Sequence, residues 1–217
     1  MLDLKHLARE LVESGRHSNR AETGTDNAVL EAVSQRDRDP AERKKSVVDW
    51  LNRYRVLMGL HTDCRTLIAG EIIAFADERQ EESLHRDKNR IVYEFNEIEH
   101  RISKVTPRPK KGKERAVTSL ASKALWCCYP NDVPIFDRNA ASALRVISRL
   151  CHLAPEPNQR EYARFVDVWL QVYSEIEPVV AQAVLCDCPY KVRVLDRLLW
   201  YLGQNDFYDG SVGSTAA

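Results

Sequence analysis

Apolar residues recur at helical spacing along almost the whole chain, and no run of alternating β-branched residues bounded by turn signals interrupts them. A chain patterned in this way must bury helix faces, so the expected fold class is all-α, built as a single compact helical domain. Ile91, Phe95, Ile98 and Ile102 repeat at i, i+4, i+7 and i+11 and define one apolar face. The clearest start signal is Asp39-Pro40-Ala41-Glu42, an N-cap acid followed by proline at the first helical position and an acid able to complete a capping box. Val47, Val48, Leu51, Tyr54 and Leu57 then predict a helix ending near Gly59, and a second starts after Thr62 or Asp63.

Further on, Val117, Leu120, Ala121, Ala124, Leu125 and Cys128 mark a helix that Pro130 stops, and its successor runs from Asp137 to about Cys151. Asn158 with Glu161 predicts another capping box, ahead of Tyr162, Phe165, Trp169 and Val172. Pro178 separates that helix from a short apolar one. A last helix after Pro189 carries Val192, Leu195, Leu199 and Leu202 and closes at Gly203. Residues 15–27 and 204–217 are polar and are expected to be mobile. The predicted division is an N-terminal helix and mobile linker over 1–38, a helical domain over 39–203, and a flexible tail over 204–217.

With 217 residues, 44% of them hydrophobic, one domain can bury about 70% of its unfolded surface. Lys+Arg and Asp+Glu number 32 each, which excludes a uniformly basic coat. The most apolar stretch, Leu67 to Ala76, is interrupted by Glu71, and charges interrupt the first residues up to Ser14. A cytoplasmic location and no membrane partner are therefore expected. Six cysteines in a chain with ample core residues read as reduced thiols. Cys186-x-Cys188, Cys127, Cys128 and Cys151-His152 lack the spacers of structural zinc sites, so no metal is expected. Phosphate-binding glycine motifs and the nucleophile elbow are absent, and no cofactor is predicted.

Charge is segregated along the chain. From Glu71 to Glu99 there are nine acids and four bases, whereas from Arg101 to Arg115 there are seven bases and one acid. Lys110, Lys111, Lys113 and Arg115 lie in a Pro- and Gly-containing loop suited to a phosphate backbone, or to solvent as an ordinary charged linker.

The most informative stretch is Ser119 to Asn139. On a helical wheel Ser119, Ser122, Lys123 and Trp126 fall opposite the core stripe, which predicts a helix packed on both sides. An amine facing a partly dry cleft there is a candidate nucleophile. The commoner outcome at such a position is a lysine that runs along Trp126 to solvent. Asp137 follows Pro134-Ile-Phe and is a natural N-cap. Beyond it, Arg138, Ser142, Arg145 and Arg149 line the side of the helix away from Ala140, Ala143, Leu144 and Ile147, as phosphate contacts or as a solvated face.

The order of a lysine-bearing helix, a Pro-apolar-Asp junction and an Arg-bearing helix resembles the helix-hairpin-helix superfamily of DNA glycosylases, in particular divergent bacterial proteins similar to oxoguanine DNA glycosylase. The ending Tyr190 to Gly203 is similar to the closing helix of those proteins. The resemblance covers about residues 100–203. It implies a glycosylase-like fold, DNA as partner, excision of a damaged or modified base, Lys123 as Schiff-base nucleophile and Asp137 as its carboxylate partner. Base flipping then needs a pocket, for which Trp126 and Phe136 are the nearest aromatics in sequence, each also a natural core residue. The stretch Val117-Thr-Ser-Leu-Ala-Ser stands where the family's hairpin has glycines. That departure motivates the alternative of a non-catalytic nucleic-acid-binding or protein-interaction relative, and a helical scaffold is the third reading.

Overall fold

Asp39 and Pro40 act as their order dictates. The Asp39 carboxylate accepts from the backbone N–H groups of Ala41 and Glu42 at 2.8 and 3.0 Å, and Pro40 opens a helix where no donor is needed. Glu42 turns its carboxylate to Arg38 Nε at 3.2 Å instead of closing a capping box. The computed structural model describes residues 3–13, 20–79, 83–106, 117–153, 161–184 and 190–204, which contain helices and no strand. In chain order the helices are α1 (Leu4–Glu13), α2 (Arg20–Ser34), α3 (Pro40–Arg53), α4 (Thr62–Glu78), α5 (Lys88–Val105), α6 (Thr118–Cys128), α7 (Arg138–Leu150), α8 (Glu161–Val184) and α9 (Lys191–Gln204). They group into two compact units, one of residues 20–135 and one of residues 1–19 with 136–217. None of these helices is long and apolar enough to cross a membrane.

In the unit of residues 20–135, α3 packs on α2 and α4, and α6 packs against α2, α4 and α5. Helix α2 occupies part of the stretch expected to be a mobile polar linker. Its buried residues include Asp26, Val29, Ala32 and Val33, so a carboxylate takes one of these inward positions. Asp26 Oδ1 is satisfied by Trp50 Nε1 at 2.9 Å and Tyr54 OH at 3.0 Å. The last carbonyls of α2 find a partner in Arg43, a buried side chain of α3. Its guanidinium donates to Ala32 O and Val33 O, each at 2.8 Å, and forks onto both Asp77 oxygens at 3.0 and 2.8 Å near the end of α4. Helix α3 ends at Arg53, earlier than Gly59, because Arg55 enters the left-handed region at φ 54°. Leu57 is still buried.

The acidic stretch forms much of α4 and α5 and is partly neutralised internally. Arg101 forks onto Glu78 with one bond at 2.8 Å, and Arg79 donates to Glu94 at 2.8 Å while its guanidinium lies 4.0 Å from the Phe75 ring centroid. The hydrogen bond from Arg101 holds the Glu78 carboxyl below its ordinary value. Because the folded value is the lower one, this contribution is complete above the ordinary glutamate pKa and is lost as pH falls from there through the lowered folded value. Thermal melts from pH 7 to pH 3 are therefore expected to converge for wild type and Arg101→Ala at the acid end, with wild type the more stable at neutral pH. A constant gap across the range contradicts the pairing.

In the other unit α7 packs chiefly on α9, α8 lies against α7 and α9, and α1 packs on α8. Helix α8 runs through Pro178, where the sequence reading placed a break. Pro178 and Ser174, whose carbonyl loses its i+4 donor, are both exposed, so water can take the place of that donor. Asn158 lies outside the described residues. In the core, Trp169 Nε1 donates to the buried Asp196 of α9 at 2.9 Å. Gly203 lies inside α9 and does not cap it. A Cβ there would meet the backbone O of Asn139 at 2.0 Å and its carbonyl carbon at 2.5 Å, so glycine is required by the approach of α9 to α7. Gly203→Ala should destabilise the protein by about 1–3 kcal/mol, seen as a lowered urea midpoint. An unchanged midpoint would show that the helices do not meet so closely.

Candidate functional site

Helix α6 has no solvent face. Every residue from Leu120 to Cys127 is buried, as the two-sided wheel of this segment predicts. Lys123 is 2% exposed, so it does not run along Trp126 to solvent. Its Nζ donates to Ser119 Oγ one turn back at 2.9 Å and lies 5.7 Å from the centroid of the Tyr54 ring. Ser122 folds its hydroxyl back onto the Ser119 carbonyl at 3.1 Å. An amine at helix centre is thus ordered by a hydroxyl and an aromatic ring, neither of which sequence spacing pairs with it beyond the i, i+4 position of Ser119.

Trp126 is fully buried and stacks in parallel on Trp50, with centroids 5.6 Å apart and planes at 8°. It is a core ring and presents no accessible platform for a base. The nearby Cys128 thiol is a poor nucleophile, since burial pushes it up to about 12. Tyr129 is likewise raised to about 12, mainly by burial.

Asp137 belongs to the other unit, whose second segment begins at Phe136. It is the N-cap of α7, and its Oδ1 accepts from Asn139 N at 2.8 Å. Lys123 and Asp137 therefore each have a defined local role within separate units.

The sequence-predicted arginines of α7 diverge in their surroundings. Arg138 is exposed at the start of the helix. Arg145 and Arg149 line a groove of about 550 Å³ between α7 and α8, together with Phe136, Leu144, Arg164 and Phe165. Phe136 meets Phe165 edge-on, with centroids 5.1 Å apart and planes at 72°. Glu161 stands at the groove, 3.8 Å from Arg145, with both side chains more than 60% exposed. Such a pair is weak and open to competition. Arg164 and Phe165 were absent from the sequence-based site, although Glu161, Arg164, Phe165 and Val168 follow the i, i+3, i+4, i+7 spacing of one helical stripe. Lys110, Lys111, Lys113 and Arg115 lie outside the described residues. Among the described residues, no group of three or more His, Cys, Asp and Glu side chains is arranged to hold a metal ion.

Set against known proteins, the chain matches no family model, no curated protein and no solved structure. The helix-hairpin-helix resemblance accordingly rests on the residues that carry it.

Capping and chemistry at Asp137 can be separated. Asparagine caps a helix as well as aspartate, so Asp137→Asn should retain stability, while Asp137→Ala should lose about 1 kcal/mol by denaturant titration. Equal losses for both variants would mean that the carboxylate charge itself stabilises the fold.

Proposed function

We propose that the chain is a DNA glycosylase-like enzyme that excises a damaged or modified base, with Lys123 as amine nucleophile and Asp137 as carboxylate partner. The observation that carries this reading is the order along the chain of the Lys123 helix, the Pro-apolar-Asp137 junction and the arginine-bearing helix, which is the order of the family it resembles. In the proposed reaction the neutral amine attacks the sugar C1′. The bond from C1′ to the base breaks, and the base leaves with the electron pair and takes up a proton. Loss of the amine proton and opening of the sugar ring then leave an imine between Lys123 and C1′. The role proposed for Asp137 is to stabilise the positive charge developing on the sugar. Lys110, Lys111, Lys113 and Arg115, with the arginines of α7, are the proposed DNA-backbone contacts.

Borohydride added during incubation with a panel of lesion-bearing duplexes should trap a covalent complex in wild type and in no Lys123→Met preparation. Lys123→Met keeps the side-chain length in the buried site, and its thermal melt reports whether it folds. Absence of both a trapped complex and Lys123-dependent base release across the panel counts against the enzyme.

The second reading is a non-catalytic nucleic-acid-binding relative, favoured by the arginine groove, which lies wholly in the unit that does not contain Lys123. On that reading salt-sensitive DNA binding survives both Lys123→Met and Asp137→Asn.

A further inference from the structure

We infer that the groove between α7 and α8 is a nucleoside-phosphate site, in which arginines take the phosphate and the apolar floor takes the base. The inference deepens the nucleic-acid reading and rests on it only for the class of ligand, not on any chemistry at Lys123. Among the described residues, three cationic side chains, Arg145 and Arg149 from α7 and Arg164 from α8, line one concavity with one carboxylate, Glu161. Among the described residues Arg149 and Arg164 have no carboxylate partner, and Arg145 has only the long, exposed contact to Glu161. Guanidinium groups match the geometry of phosphate oxygens and can bind them through two parallel hydrogen bonds.

The charges do not stand on a polar surface. Leu144 and Phe165 are buried beneath them, and Phe136 is half-buried at the edge. A ligand that was only an anion would leave this apolar surface wet. A ligand that was only apolar would leave the arginines unused. A base joined to a phosphate satisfies both halves, because every base has an apolar face that stacks on an aromatic ring. The volume, about 550 Å³, falls within the range of small-molecule sites and admits one nucleotide rather than a length of duplex. The same chemistry is presented by a free mononucleotide and by an unstacked nucleotide in a single strand, and binding measurements separate the two.

The test uses the full chain and a fluorescein-labelled thymidine pentanucleotide in fluorescence anisotropy at low salt, with thymidine monophosphate and inorganic phosphate as competitors. Wild type should bind the strand, and the complex should weaken as salt rises. Arg149→Glu with Arg164→Glu should weaken binding by at least about tenfold, as expected for losing hydrogen bonds between charged groups. Glu161→Gln removes the competing carboxylate from Arg145 and should tighten binding, a gain that a poorly folded variant cannot mimic. Phe136→Leu should weaken the normal strand and leave a strand with abasic spacers unaffected. Displacement by thymidine monophosphate identifies a free nucleotide as sufficient, and its failure while the strand binds assigns the site to nucleic acid. No binding, an unaltered affinity in the double arginine variant, no gain in Glu161→Gln, or displacement by inorganic phosphate as effective as by the nucleotide would overturn the inference. The anisotropy readout follows the groove variants alone, so a failed borohydride trap leaves this result standing.

Discussion

The unit of residues 20–135 depends on a helix that has no solvent face. Once α6 is surrounded by α2, α4 and α5, each polar group on it must find a partner inside the protein, because a buried donor left unmade costs about 1–3 kcal/mol and more if charged. Lys123 meets this demand with Ser119 and the Tyr54 ring. Trp126 extends the demand outward, since it stacks on Trp50, whose indole N–H is held by Asp26. Arg43 makes a separate buried link, joining the last turn of α2 to Asp77. The buried helix thus carries a buried amine and, through the Trp126–Trp50 stack, adjoins a buried carboxylate.

The unit containing α7, α8 and α9 solves a different problem. Two helices come so close at Asn139 that only glycine fits at position 203. On the α8 side of α7 a groove remains, and arginines from both helices border it. Formal neutrality of the chain carries little information about this groove. Arg101 and Arg79 are engaged with Glu78 and Glu94, so several charges that balance the total are already paired within α4 and α5. Local arrangement decides what a charged ligand meets, and among the described residues of the groove three bases stand against one acid.

Much of the helical plan was legible. The stripes of Ile91 to Ile102 and of Val117 to Cys128, the cap at Asp39 and the stop at Pro130 all act locally, within one or two turns, and local rules find them. The failures share a cause. The α2 segment was read as linker because its inward stripe contains Asp26, and a carboxylate counts as apolar surface in no periodicity; its burial is made possible by Trp50 and Tyr54, far along the chain. Pro178 was read as a break because proline removes a helical donor, whereas here both Pro178 and Ser174, four residues back, are exposed. Gly203 was read as a cap because sequence cannot display the backbone of Asn139. At the candidate site, the burial of α6 on both sides followed from its wheel, while Arg164 and Phe165 were missed because the groove joins two helices with no sequence relation.

The sequence by itself determined that this chain is helical, where most helices start and stop, and that α6 is central with a lysine on it, because capping, periodicity and proline act through neighbouring residues. Only the tertiary structure decided that Lys123 is enclosed, that Trp126 is a core ring, and that Arg145 and Arg149 share a groove with Arg164 and Phe165. Those outcomes depend on which helix faces meet. Long-range packing sets that choice, and a burial pattern along one helix does not specify its partner.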